Sequence, residues 1–243
     1  MNAFPRLRRS SFILHRSALV VALLALSCGQ RPATTHDDLG RAVTLPPRVS
    51  RLITLAPNLT ELVFAIGAGD RLVGVDDFSN FPGAVTRIEK VGGMQPNIER
   101  IVALKPDLVL ASTEGNHPNL APALAAVNIP LFVIRTDRLD EVPVAMERLG
   151  TMLNAPHANE AARALRDALA AQRGTRTNPP RVMFAVWTDP LYVAGRETFT
   201  DDILKLTGAQ NAVQVAGWPQ YSLESFVANP PGILLYPRSS VTT

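Results

Sequence analysis

Short apolar runs alternate with amphipathic stretches along residues 51–134, and this alternation predicts the order of the elements. A continuous apolar run of about four to eight residues is typical of a buried strand, whereas apolar residues spaced three and four apart indicate a helix. Four runs predict strands: RLITLAP (51–57), RLVGV (71–75), DLVLA (107–111) and PLFVI (130–134). Three stretches predict helices, the first two capped by Asn58 and Asn97: NLTELVFAIGAG (58–69), NIERIVAL (97–104) and NHPNLAPALAAVN (116–128). Strand–helix–strand units of this length predict an α/β lobe with a mainly parallel sheet.

The next segment, residues 139–178, has no strand pattern and predicts two helices. The second would run from Ala158 to Arg173 and be about 24 Å long at a rise of 1.5 Å per residue. A helix of that length can pass from one lobe to another.

Strand patterns return after the two prolines at 179 and 180. Apolar runs at 181–187 and 191–195 predict strands, and residues 200–208 predict a helix. The predicted fold class is therefore α/β: an N-terminal lobe (49–138) and a C-terminal lobe (179–243) joined by a long backbone helix within 139–178.

One pattern occurs twice. The segment NIERIVALKPDLVL (97–110) aligns without a gap on SLESFVANPPGILL (222–235), which places Glu99 on Glu224. Both copies predict a capped helix followed by a strand, with a glutamate two residues after the cap. An acid in a first turn complements the helix dipole, which is one explanation for each glutamate.

The repeat also predicts that the C-terminal lobe is incomplete. In the first lobe another helix and strand follow the repeated unit and end near Ile134. The offset of 125 residues, which separates Glu99 from Glu224, would place the matching end near residue 259, beyond Thr243. We therefore expect the apolar faces of 182–187 and 233–236 to be uncovered.

Composition and charge indicate an exported globular protein. Of the 243 residues, 47% are hydrophobic and 19% are charged, and the net charge is +3. The first 27 residues contain four arginines and no acid, so the remainder carries +3 − 4 = −1, which argues against a nucleic-acid surface. The apolar run Leu19–Leu26 after these basic residues predicts a signal peptide over 1–27.

The only cysteine, Cys28, follows this segment, so no disulfide can form within the chain. The segment resembles a bacterial lipoprotein signal, in which the cysteine becomes the lipidated first residue of the mature protein. An ordinary secretory peptide with an incidental cysteine is the alternative. The polar, proline-bearing residues 28–48 predict a flexible tether with room for one short strand.

Catalytic motifs are not evident. Gly67-Ala68-Gly69 follows a predicted helix, whereas a dinucleotide site needs its glycines between a strand and a helix. The chain contains no G-x-S-x-G, no H-E-x-x-H and no P-loop. An exported enzyme is therefore the distant alternative.

Several features of the chain together resemble a known family. They are the export signal, the long central helix and four segments: LITLAPNLTELVFAIGAGDRLVGVDDFSNFP, NIERIVALKPDLVLAS, YVAGRETFTDDILKLTGAQN and WPQYSLESF. They are similar to the periplasmic binding proteins of ABC importers with a helical backbone (class III), and most similar to the cobalamin-binding branch. The resemblance covers residues 50 to about 236. It implies a periplasmic or lipid-anchored receptor that delivers a ligand to a permease and ATPase complex, with no resident cofactor and cobalamin as the transported ligand. It also implies that Glu99 and Glu224 dock onto permease arginines.

The same resemblance places a ligand between the lobes, with Phe78 and Met94 on one wall and Tyr192 and Trp218 on the other. The family has tyrosine and tryptophan where this chain has Phe78 and Met94. Trp187, at a predicted strand end, is a further candidate from the sequence itself. Core packing is the alternative role for each of the five.

Two observations keep other ligands open. His117 follows a strand end and could bind cobalt or haem iron as an axial ligand, although a single histidine in a loop is more often structural. Arg135 and Arg138 lie near the same edge and would suit an anionic ligand. A ferric siderophore or haem carrier of the same fold is therefore the alternative function.

Overall fold

The computed structural model of the protein describes residues 33–115 and 119–237. The predicted signal peptide, Cys28 and His117 lie outside the described residues. The α/β class is confirmed, and the elements form two lobes with a helical pair between them.

The first lobe is built on a five-stranded parallel sheet of order β5-β4-β3-β6-β7. Its strands are β3 (Leu52–Thr54), β4 (Leu72–Val75), β5 (Glu89–Lys90), β6 (Leu108–Ser112) and β7 (Leu131–Ile134). Its helices are α1 (Pro57–Ala65), α2 (Ile98–Ala103) and α3 (Leu120–Ala126). Every residue of β6 and β7 is buried, because helices cover both faces of the sheet.

Two further helices cover one face of this sheet and lead to the second lobe. They are α4 (Glu141–Leu153) and α5 (Ala158–Ala171), so α5 ends two residues before the predicted limit. Residues at the start of α5 join the first-lobe core, and beyond its end the N–H of Gly174 donates to the carbonyl of Leu206 at 2.8 Å. The start of the helix therefore packs on the first lobe, and the chain just beyond its end contacts the second.

The second lobe repeats the central part of the first. Its strands are β8 (Arg181–Thr188), β9 (Leu191–Val193), β10 (Gln210–Asn211) and β11 (Ile233–Leu235), and its helices are α6 (Phe199–Leu206) and α7 (Leu223–Ala228). The parallel order β10-β8-β11 corresponds to β4-β3-β6, while β9 pairs antiparallel with β8. The unit α7–β11 begins 125 residues after α2–β6, as the sequence repeat predicts.

The segment predicted as a tether (28–48) differs in its described part, which forms a hairpin of β1 (Ala33–His36) and β2 (Ala42–Leu45). Val43 and Leu45 are buried in the first-lobe core. The carboxylate of Asp37 closes the turn by accepting from the N–H and the guanidinium of Arg41, and the N–H of Asp38 donates to the carbonyl of Val133. These contacts fix the hairpin on the edge strand of the sheet.

The predicted cap of the first helix is wrong. Helix α1 begins at Pro57 with Ala56 at the N-cap, and Asn58 lies inside it. The Asn58 amide instead donates to the Thr136 hydroxyl at 2.9 Å, which ties α1 to the segment after β7.

The exposure of β11 agrees with the prediction for 233–236. Its three residues, Ile233, Leu234 and Leu235, are 44%, 42% and 42% exposed, and α7 has no buried residue. The prediction for 182–187 holds only at one end: Val182, Met183 and Ala185 are buried, whereas Val186 and Trp187 are 37% and 56% exposed.

An ion pair joins the two lobes behind the backbone helices. The guanidinium of Arg138 donates to both carboxylate oxygens of Asp202 on α6, at 2.7 and 2.6 Å, and the N–H of Leu139 adds a bond of 3.1 Å. Burial opposes ionisation of Asp202, but these hydrogen bonds and the charge of Arg138 outweigh it and lower the pKa of Asp202. The pair therefore stabilises the interlobe contact when Asp202 is ionised.

We expect limited proteolysis to cut within residues 179–237 before it cuts the elements between 50 and 135. Segments that bury little apolar surface open locally at low cost, and α7 and β11 are such segments. Mass spectrometry of the fragments over time would identify the first cuts. Equal resistance of both lobes, together with one cooperative unfolding transition, would contradict this expectation.

Asp202→Asn should lower the free energy of unfolding by about 1 kcal/mol at neutral pH, a value discounted because the Arg138 side chain is 36% exposed. The pKa of Asp202 is lowered, so its contribution is complete above the ordinary value of 3.8 and is lost as pH falls through the lower folded value. Urea titrations at several pH values would measure it.

Glu147→Gln is the matched control, because Glu147 makes a similar two-bond pair with Arg166 in which both side chains are at least 40% exposed. We expect a smaller loss there. Equal losses in the two variants would show that the pair at Asp202 has no special role between the lobes.

Candidate ligand-binding cleft

The carboxyl ends of β3, β4 and β6 face a cleft between the lobes, where open α/β sheets bind ligands. A cavity of about 360 Å³ lies against the first lobe, and one of about 770 Å³ extends down to the helical pair and across to the second lobe. Asn58 and Glu114 line both cavities, so the two adjoin. Their sizes lie in the range of small-molecule sites, roughly 300–1,000 Å³.

A loop after β4 places aromatic rings on the first wall. The carboxylate of Asp76, which is buried, accepts from the N–H of Phe78 at 3.1 Å and from the hydroxyl of Ser79. The ammonium of Lys90 donates to the carbonyls of Asp76 and Ser79. This network holds the loop while the rings of Phe78 and Phe81 stay exposed, each lining one cavity.

The structure brings together three of the five predicted ligand-binding residues. Phe78 and Met94 line the smaller cavity and Trp218 lines the larger. Tyr192 and Trp187 are paired in the β8–β9 hairpin instead and line neither cavity. The indole of Trp187 donates to the carbonyl of Asp189 in the same hairpin at 2.7 Å.

The sequence analysis missed several residues that line the cleft on both lobes. Phe199 and Thr200, at the start of α6, line the larger cavity, as does Thr136 after β7. Glu114 lies two residues after β6. A search of the residues just beyond each predicted strand would have found Glu114 and Thr136, because such positions form the ligand crevice in this class of sheet.

The charge of the cleft is negative. Three acidic residues, Glu61, Asp76 and Glu114, are among its lining residues, and within the described part of the chain that lining contains no lysine, arginine or histidine. Partial burial raises the pKa of Glu114, and the nearby carboxylate of Asp137 raises it further, while a hydrogen bond with the Trp218 side chain lowers it.

The two predicted cations lie elsewhere. Arg138 is paired with Asp202, and the guanidinium of Arg135 lies 3.9 Å from the carboxylate of Asp137 and also contacts the carbonyl of Asp38. Neither lines the cleft. Among residues 33–115 and 119–237 there is no cluster of three or more histidines, cysteines or acids able to hold a metal ion.

The two repeated glutamates occupy equivalent exposed positions. Asn97 caps α2 by accepting from the N–H of Arg100 at 2.9 Å, and Ser222 caps α7 by accepting from the N–H of Ser225 at 3.1 Å. Glu99 and Glu224 lie in the first turns that these caps define, and both are exposed. The pKa of Glu224 is lowered, first by a hydrogen bond from its own N–H and then by one from the Ser222 hydroxyl.

Within the described ranges, no helix combines the length and apolar character needed to cross a bilayer.

Several proteins resemble this chain in sequence. A vitamin B12-binding protein of Pectobacterium atrosepticum is 33% identical over 205 residues, which are 80% of this chain and 72% of that protein. A vitamin B12-binding protein of Yersinia pestis (strain Pestoides F) is 34% identical over 200 residues, which are 79% and 71% of the two chains.

Solved structures resemble it as well. The periplasmic vitamin B12 binding protein BtuF of Vibrio cholerae superposes with a TM-score of 0.70 at 28% identity, covering 79% of this chain and 77% of that one. The periplasmic heme-binding protein RhuT from Roseiflexus sp. RS-1, in its apo form, gives 0.72 at 28% identity with the same coverage. The family model for periplasmic binding proteins matches residues 52–239, more than half of the chain. With two α/β lobes, a helical connection and a cleft between them, the chain belongs to the periplasmic binding protein family.

Proposed function

We propose that this protein is the receptor of an ABC importer, which binds cobalamin or a related corrinoid in the cleft and delivers it to a permease and ATPase complex. The observation that carries the proposal is the cleft lining: aromatic and apolar side chains with three carboxylates and no cationic side chain among the described residues. The vitamin B12-binding relatives support the same ligand class.

The charge of the lining favours a corrinoid over haem or a ferric siderophore. The corrin ring is broad and apolar, and its amide arms can donate hydrogen bonds to carboxylates. Haem carries two propionates, and many siderophores are anionic chelates, so each would bring negative charge against Glu61, Asp76 and Glu114. Like charges in such a partly desolvated site are unfavourable.

The proposal also includes two contacts outside the cleft, one with the permease and one with the membrane. Glu99 and Glu224 are exposed at matching positions of two related lobes, which suits two related permease subunits. Lipidation of Cys28 would hold the receptor at the membrane in the periplasm.

Purified protein titrated by calorimetry with cyanocobalamin, hemin and a panel of ferric siderophores should bind cyanocobalamin most tightly. Trp218→Ala should weaken that binding by roughly 10–100-fold, because a large aromatic contact in the cleft is lost. Trp187→Ala is the control from the β8–β9 hairpin and should change the affinity less than about twofold. Tighter binding of hemin than of cyanocobalamin by the wild-type protein would instead support a haem carrier.

Charge reversal at both docking candidates, Glu99→Arg with Glu224→Arg, should abolish ligand uptake in reconstituted vesicles and leave ligand affinity unchanged. Glu160→Arg is the matched control, since Glu160 is also an exposed acid in the first turn of a helix. All three reversals lose a similar interaction with a helix dipole, but only the first two remove docking contacts. Uptake that falls equally in the control, or ligand affinity that falls in the double variant, would refute the docking role.

A further inference from the structure

We infer that Glu114 is a specificity-determining residue of the cleft, where its carboxylate selects ligands that present hydrogen-bond donors to it and disfavours those that present carboxylates. The inference deepens the proposed function and rests on it. The position of Glu114 is the first support: it follows β6, lines both cavities and is therefore in reach of a ligand that fills either.

The backbone around Glu114 is fixed. The N–H of Glu114 itself contacts the hydroxyl of Ser112 at 3.3 Å, and the N–H of Gly115 contacts the carbonyl of Ser112 at 3.3 Å. The hydroxyl of Thr113 donates to the carboxylate of Asp137 at 2.6 Å, which ties this turn to the segment after β7. The Glu114 side chain is therefore presented from a hydrogen-bonded turn at the end of β6.

The partner of Glu114 comes from the other lobe. Trp218 lines the same larger cavity as Glu114, and its indole N–H, which can only donate, acts on the Glu114 carboxylate to lower the pKa of that group against the effects of burial and Asp137. The second lobe thus offers the carboxylate a donor across the cleft. A ligand amide can take the place of the indole as donor, whereas a ligand carboxylate offers no donor and adds a like charge.

The other charged groups near this position do not offset the carboxylate. Asp137 is a second acid beside Glu114, and Glu61 on α1 lines the same larger cavity. The guanidinium of Arg135, which follows β7, lies 3.9 Å from the carboxylate of Asp137 and does not line the cleft. An anionic ligand would therefore meet negative charge from α1 and from both strand-end segments.

The test is the isosteric variant Glu114→Gln, titrated with cyanocobalamin and with hemin. We expect weaker cyanocobalamin binding and tighter hemin binding, so that the ratio of the two affinities shifts about tenfold toward hemin. Glu61→Gln is the matched control: it removes one carboxylate from the same cavity at the exposed rim, and its ratio should change less than about threefold. Equal shifts in the two variants would show that any carboxylate in the cavity has this effect, and would overturn a specific role for Glu114.

A second measurement does not depend on the ligand. The chain has two tryptophans, so a Trp187→Phe background leaves Trp218 as the only indole emitter. Adding Glu114→Gln should change its emission and raise its quenching by acrylamide, because the charged partner of the indole is lost. Unchanged emission and quenching would overturn the interlobe contact.

Wild-type protein that binds no corrinoid would refute the proposed function and this inference with it, whereas cyanocobalamin binding that is insensitive to Glu114→Gln would refute the inference alone.

Discussion

The arrangement of the two lobes depends on the close approach of α4 and α5. A Cβ at Gly150 on α4 would lie 2.1 Å from the Cβ of Ala158 on α5, so the two helices meet at a point where only glycine fits. Their packed faces then serve two purposes. They cover the first-lobe sheet, and some of the same residues also line the larger cavity: Val142, Met146, Ala161 and Leu165, together with Ala164. Helix packing thus determines both the core and the depth of the cleft.

Positively and negatively charged side chains lie in different places around these two helices. The arginines near the first-lobe edge are used for structure: Arg138 joins the lobes, and Arg148 holds the N-terminal hairpin through Asp38 while lying 4.7 Å from the ring centre of Phe132. Because these arginines are paired elsewhere, they do not lie beside Glu61 and Glu114 in the described lining of the cleft, and Lys90 is used to hold the backbone of the Asp76 loop. The negative character of the lining follows in part from these pairings.

Local signals made the repeated units predictable. The cap, apolar period and following strand of α2–β6 are all encoded within about fifteen residues. In the second copy the helix has the same bounds and the strand the same start after an offset of 125, although β11 is two residues shorter than β6. The hairpin at 33–45 was not predictable in this way, because its order comes from contacts with Val133 and Arg148, far along the chain. Phe199 and Thr200 on the second wall were missed for the same reason, since the position of α6 depends on tertiary contacts such as the pair between Asp202 and Arg138.

A comparison of the two copies of the repeat also distinguishes stabilisation by local interactions from stabilisation by tertiary packing. In the first copy Ile101 is fully buried, and Val102 on the same helix is 39% exposed; in the second, Phe226 is only partly buried and Val227 is 76% exposed. Both helices nevertheless form with the same cap geometry, so the cap and period are sufficient to define the element, and burial determines how firmly it is held. Glu99 is thus presented from a helix anchored in a core, whereas the position of Glu224 depends mainly on the Ser222 cap and on the pairing of β11 with β8. A docking surface made of both glutamates is therefore only as rigid as the second lobe.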